Sequence, residues 1–180
     1  MSCLTDKFPP LPGLRLFGNW VLLILSLFIS PALFGQSHSL ILKTDGSLHA
    51  FGSNPYGQHG DGSNNTRSTP TQILSSGVAQ IAAGDYHSLI LKTDGSLHAF
   101  GKNNYGQLGD GTTTNRSTPT QILSSGVAQI AAGGNHSLIL KNDGSLHAFG
   151  NNSHGQLGDG TNLNRSTPMQ ILPSGVAQIA

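Results

Sequence analysis

Glutamate is missing altogether: the eight acidic residues of the 180-residue chain are all Asp, at positions 6, 45, 61, 85, 94, 110, 143 and 159. Lysine and arginine together number only nine, whereas glycine alone reaches 24. A chain without Glu, poor in Lys and rich in Gly, Ser, Thr and Asn has little helix-forming material. It favours short strands joined by turns. Cysteine occurs once, as Cys3, so everything after it lacks a disulfide, a thiolate nucleophile or a thiolate metal ligand. Cys3 also precedes the apolar stretch and so cannot be a lipid-attachment site just after it. Surplus positive charge is absent as well. Lys7 and Arg15 lie near the start, and from Ser37 onward seven basic residues face seven Asp. Nucleic-acid binding draws on a basic surface that displaces counterions from phosphate, and this balance offers none.

Long hydrophobic runs are lacking too. Trp20–Ile29 (WVLLILSLFI) gives ten apolar positions and the generous stretch Trp20–Phe34 gives 15. A bilayer-spanning helix needs about 18–20. The basic flank, short apolar core and small-residue exits Ser30-Pro31-Ala32 and Leu33-Phe34-Gly35 predict a secretory signal peptide over residues 1–35, cleaved after Ala32 or Gly35. The mature chain is then expected to be secreted, periplasmic or at the cell surface. An uncleaved membrane anchor is the alternative.

What the chain does have is a repeat. His38, His87 and His136 each open the string HSLILK, which sets a period of 49 residues. Copies 38–86 and 87–135 agree at 40 of 49 positions, and the third, 136–180, is incomplete. Each copy reads as four strands. HSLILK (38–43) and SLHAFG (47–52) flank an Asp-Gly turn, the strongest short-range hairpin cue. The segment TPTQIL (69–74) follows, with Pro70 placing it at a strand start or sheet edge, and GVAQIAAG (77–84) closes the copy. Four short strands per 40–50 residues is the pattern of a propeller blade, a unit that buries its faces only against neighbours.

The string GVAQIAAGDYHSLILKTDGSLHAFGKNNYGQLGDG (77–111) resembles the repeat of the regulator of chromosome condensation (RCC1) family. The G-x-x-H-S-L, D-G, F-G-x-N and G-Q-L-G-D-G elements arrive in order. The resemblance implies an all-β propeller, which in that family has seven blades. It also implies structural blade roles for His38, His87 and His136 and for Gly52, Gly101 and Gly150. Three departures stand out: His49, His98 and His147 replace the usual aromatic before Ala-Phe-Gly, His59 replaces the Leu found at 108 and 157, and only three copies are present. The expected fold is therefore a partial propeller of about three four-stranded blades, for which two chains giving six blades would be one route to closure. A truncated gene, or a fragment of a longer protein, would equally explain the count.

Catalysis needs one constellation in one pocket. Here His38, Ser39 and Asp45 recur at 87, 88, 94 and again at 136, 137, 143, which points to repeated architecture: His bonding buried backbone and Asp shaping a turn. The His pairs 38/49, 87/98 and 136/147 lie 11 apart, unlike the usual close ligand spacing. DGTTTN (110–115) and DGTNLN (159–164) lack the alternating oxygen ligands and acidic closer of a calcium loop. No glycine-rich phosphate loop opens a helix. No metal, cofactor or catalytic residue is expected. Some members of the resembled family stimulate nucleotide exchange through an extra hairpin, and these uniform repeats contain no such insertion.

Binding is what remains. Differences between copies cluster in 53–66 with its equivalents and in 85–86 with 134–135. Such loops are where recognition residues tend to lie. Tyr56, His59, Tyr86, Lys102, Tyr105 and His154 are the candidate contacts, and exported proteins resembling this family inhibit enzymes through such a face. The expected partner is another protein, with a homodimer as one form of it. Unconstrained drift in these loops is the alternative, as is a remnant of a longer surface or structural repeat protein.

Overall fold

The computed structural model describes Ser37–Ala180. The signal-peptide expectation for residues 1–35 falls outside the described residues. Within them the chain is all-β: β1 (His38–Leu42), β2 (Leu48–Gly52), β3 (Arg67–Leu74), β4 (Val78–Ala83), β5 (His87–Lys92), β6 (Leu97–Gly101), β7 (Arg116–Leu123), β8 (Val127–Ala132), β9 (His136–Lys141), β10 (Leu146–Gly150) and β11 (Arg165–Leu172). They form three antiparallel sheets, β1-β2-β3, β4-β5-β6-β7 and β8-β9-β10-β11. The first therefore has three described strands, where four were expected of every blade.

The Asp-Gly cue acts as expected. Gly46, at φ 77°, turns the chain between β1 and β2, and the Ser47 amide donates to Asp45 Oδ1 at 2.9 Å. The same bond recurs at Ser96 to Asp94 and Ser145 to Asp143, each 2.9 Å. Each proline-bearing strand (β3, β7 and β11) sits at a sheet edge, where the missing amide hydrogen breaks no ladder.

The blade is displaced from the sequence period by one strand. β4 ends the first copy in sequence, yet it pairs with β5 of the second, Ile81 opposite Ile90 and Ala82 opposite Leu89. Likewise β8 pairs with β9, Ile130 opposite Ile139. Each copy thus lends its last strand to the next blade, so neighbouring blades are held together by the chain itself.

Apolar side chains meet between the blades. Leu48, Val78, Ile90 and Phe100 bury together at the first junction. Leu89, Leu97, Leu108, Ile130, Ile139 and Phe149 belong to the cluster of the second and third. Fully burying one such side chain contributes about 1.5–3 kcal/mol. Position decides burial here, because the residues are the same. Ile90 and Ile139 are 0% exposed, whereas their equivalent Ile41, with no preceding blade among the described residues, is 37% exposed.

Candidate protein-interaction surface

The loop after each second strand is built by four polar residues, an Asn, a Gln and an Asp–Arg pair, that composition alone does not single out. Asn103 is fully buried, accepts the Leu108 amide at 2.9 Å and donates to Asp110 Oδ1 at 3.1 Å. Asn152 repeats this with Leu157 at 2.9 Å and Asp159 at 3.0 Å. The side chain of Gln58 accepts the Tyr56 amide at 3.0 Å, Gln107 that of Tyr105 at 3.0 Å, and Gln156 that of His154 at 2.9 Å. Arg67, Arg116 and Arg165 donate through Nε to Asp61, Asp110 and Asp159 at 2.8, 2.8 and 2.7 Å. Burial pushes Asp61 and Asp110 upward, but the Arg and hydroxyl hydrogen bonds outweigh it and hold both below the ordinary value. For Asp159 the Thr161 hydroxyl leads in the same direction, with Arg165 assisting. Tyr56, Tyr105 and His154 therefore ride on rigid loops, at the same place in successive copies.

Four of the six candidate contacts come together. Lys102 Nζ lies 5.3 Å from the ring centroid of Tyr56, 5.3 Å from that of Tyr86 and 5.8 Å from that of Tyr105. All three are within the range of about 6 Å in which a ring's quadrupole attracts a cation. Tyr56 and Tyr86 also meet edge to face, with centroids 5.4 Å apart. Gly101 explains the juxtaposition. A Cβ there, at φ 106°, would stand 2.5 Å from the Tyr86 carbonyl oxygen, which accepts the Lys102 amide at 2.9 Å. Only glycine allows the two backbones so close. Gly52 and Gly150 have the same geometry, with clashes of 2.4 Å and 2.7 Å. Tyr56 comes from the first blade's loop, so the cluster spans a blade junction. At the next junction the equivalents of Tyr86, Lys102 and Tyr105 are Asn135, Asn151 and His154, and no cation is centred there. His154 is exposed but lies outside the tyrosine cluster.

His59 is a correction. It is fully buried rather than a loop tip, with its ring centroid 6.5 Å from that of His38. Its slot is the one Leu108 and Leu157 fill. Burial lowers its pKa, partly offset by Asp61.

His38 and His87 each bond to a serine hydroxyl, and His38 also has a backbone hydrogen bond at Asp85 of the kind expected. His38 Nε2 lies 2.9 Å from Ser88 Oγ, which donates to the Gln58 carbonyl at 2.8 Å. His87 Nε2 lies 3.0 Å from Ser137 Oγ, which donates to the Gln107 carbonyl at 2.7 Å. Because each hydroxyl hydrogen is given to a carbonyl, the imidazole must be the donor to the serine. Burial, with His59 nearby, holds His38 at about 4; burial, with His38 and His136 nearby, holds His87 at about 3. These Ser–His pairs are sealed: Ser88, Ser137 and His87 are 0% exposed, and the Asp of each imagined triad is committed to its own turn. His136, half-buried, has no serine hydroxyl partner among the described residues. Among the described residues no group of three or more His, Cys, Asp or Glu is placed to hold a metal ion.

Comparison with solved structures finds the same fold. Human WBSCR16 superposes with a TM-score of 0.67 at 32% identity, over 76% of this chain and 36% of that one. Prp20p from Saccharomyces cerevisiae, whose structure is described with its binding properties to Gsp1p and histones, gives 0.66 at 25% identity over the same shares. The yeast RCC1 protein (Prp20) bound to Kap60 gives 0.63 at 24% identity, which speaks for the fold alone. The chain thus spans about a third of the length of these structures. The profile of the regulator of chromosome condensation (RCC1) repeat matches residues 45–91, 94–140 and 143–180, and a second RCC1-repeat profile matches 78–107 and 127–156. With three such matches covering most of its length, the chain belongs to the RCC1-repeat family.

Proposed function

We propose that this chain is an exported, non-catalytic protein-interaction module that docks its partner on the face made by Tyr56, Tyr86, Lys102 and Tyr105. The convergence of three tyrosine rings on one ammonium, from loops of two blades, carries the reading. Tyrosine is enriched among residues that dominate binding energy, and side chains already held in place lose less entropy on docking. Protein ligands reported for Prp20p support the same use of the fold. The sealed Ser–His pairs support a non-catalytic role. Export rests on the composition of residues 1–35.

The test is a photo-reactive residue at Tyr105, with cross-linked material from the exported fraction compared between the chain carrying it and the same chain with Tyr56→Ala or Lys102→Ala. One adduct formed by the parent, and reduced at least tenfold by Tyr56→Ala and Lys102→Ala, is expected. An adduct indifferent to both substitutions would sink this surface. Export is checked by sequencing the N-terminus of the fractionated protein, which should begin after Ala32 or Gly35. An intact start in the membrane fraction would favour the anchor.

The coverage of about a third of the solved structures favours a second reading, in which these repeats act as part of a longer array with no independent activity. Further HSLILK copies encoded downstream of Ala180 would decide for it. A guanine-nucleotide exchange role rests on family membership alone, and a nucleotide-release assay with small GTPases tests it.

A further inference from the structure

The two ends of the blade series carry complementary halves of one interface. We infer that residues 175–180 of one copy add as a strand to the β1 edge of a second copy, joining chains head to tail. This contact goes beyond the tyrosine face and does not depend on it.

The donor half is already in place. GVAQIA at 175–180 repeats the GVAQIA of β4 and β8. Gln129 Nε2 donates to the Ile179 carbonyl at 3.0 Å, and the Ile179 amide donates to Gln129 Oε1 at 3.2 Å. Gln80 holds Ile130 of β8 by the same two bonds, at 3.3 and 3.1 Å. Val176 donates to the Gly144 carbonyl at 3.1 Å, as Val127 does to Gly95 at 3.3 Å. The segment thus sits where the first strand of a following blade would sit, yet among the described residues no strand pairs with its outer edge.

The acceptor half is β1. Its HSLILK string is the one that β4 and β8 pair with in the other two blades, but among the described residues β1 pairs only with β2. Shifting the β8–β9 register by one period places Ile179 opposite Ile41 and Ala180 opposite Leu40 of the second copy. Ser39 and Ile41 are exposed, whereas Ser88, Ser137, Ile90 and Ile139 are all 0% exposed. The same shift brings His136 Nε2 to Ser39 Oγ and leaves Ser39 to donate to the Gln156 carbonyl, completing a third relay. Gly57 and Gly106 press on Ser117 and Ser166 of the following blade, where a Cβ would meet Cα atoms at 2.4 and 2.5 Å. Gly155 meets only Asn162, at 3.6 Å, and the shift supplies Ser68 of the second copy.

A head-to-tail contact of this kind closes a ring where the rotation allows it and runs on as a filament where it does not. The experiment uses the full chain with Cys3→Ser, Ile41→Cys and Ile179→Cys, treated with a short bifunctional thiol reagent, alongside light scattering of the parent and of Ile41→Lys. Covalent species of two chains, or a ladder of whole multiples, are expected from the double-cysteine chain and not from either single-cysteine chain. The parent should weigh at least two chains, and Ile41→Lys, altering an exposed residue, should return a folded monomer. A parent that stays monomeric and folded across a wide concentration series overturns the inference, including where the chain's own preceding residues cover β1. So does an oligomer that Ile41→Lys leaves intact, or one in which positions 41 and 179 do not cross-link.

Discussion

His87 Nε2 and Ser137 Oγ stand 3.0 Å apart although fifty residues separate them, and the serine passes its own hydrogen to the Gln107 carbonyl at 2.7 Å. One imidazole thus ties β5 to β9 and, through the serine, to a loop, all within a region closed to water.

Removing that imidazole leaves a buried serine without its donor. His87→Ala should lower stability by about 2–4 kcal/mol, from the lost hydrogen bond together with the cavity left behind. In the Ile41→Lys background, where the chain is expected to be monomeric, His136→Ala should lower it by less than His87→Ala, because among the described residues His136 has no serine partner. Urea unfolding of the two variants side by side checks the order. Equal losses would show that the relay contributes nothing beyond volume.

The pH dependence has a definite sign. His38 is held at about 4 and His87 at about 3, against 6.5 unperturbed, so between those values and about 6.5 the unfolded chain binds more protons than the folded one. Stability is then fully present above about 6.5 and falls as pH drops toward 4, by a few kcal/mol in all. Asp61 and Asp110, held below their ordinary value, add a further loss only at more acidic pH. Thermal midpoints at steps from pH 8 to pH 4 should show the first decline, and replacing His38 and His87 by Gln should make it shallower, with His59, His98, His136 and His147, also lowered by burial, keeping part of it. An unchanged slope in that double variant would place the sensitivity elsewhere.

His59→Leu should stabilise the chain by about 1–2 kcal/mol, since a buried polar ring gives way to the side chain that the equivalent slots hold at Leu108 and Leu157. The denaturation midpoint measures it. A loss would mean that the ring's approach to His38 contributes more than its burial costs.

Gly101→Ala combines a disallowed φ of 106° with a Cβ 2.5 Å from a carbonyl oxygen. It should destabilise by more than about 2 kcal/mol and displace Tyr86 from Lys102. Gly126→Ala is the control: its φ is 85°, but nothing lies within 4 Å of the added carbon. It should lose only about 1–2 kcal/mol. Comparable losses would remove the argument from close approach.

The repeat, the hairpins and the edge position of Pro70 are legible in the sequence because each follows from a local rule: period, turn chemistry, a missing amide hydrogen. The displacement of blade from copy is legible only as phasing: the series opens at HSLILK and closes at GVAQIA, so a blade needs a strand from another copy, while identical strands leave open which neighbour they pair with. Burial at position 59 is not local either: the ring lies toward His38 of β1, 21 residues away in sequence, so a histidine in a polar loop looks exposed from the sequence alone. The meeting of Tyr56 with Tyr86 and Lys102 joins residues of different copies, which no local pattern brings together. The loop clamp does leave a local signal: an Asp recurs six residues before an Arg at 61/67, 110/116 and 159/165. That spacing is the ion pair that clamps each loop.

Because blade and copy differ in phase but not in length, excising any 49 consecutive residues from the array rejoins matching positions. A strand that loses its neighbour meets the equivalent strand of another copy, so the blade at the scar keeps the same strand pattern. Recombination between the near-identical copies would therefore shorten or lengthen such a gene by whole units, with the strand pattern kept in phase. Blade number is then free to change in a single genetic event.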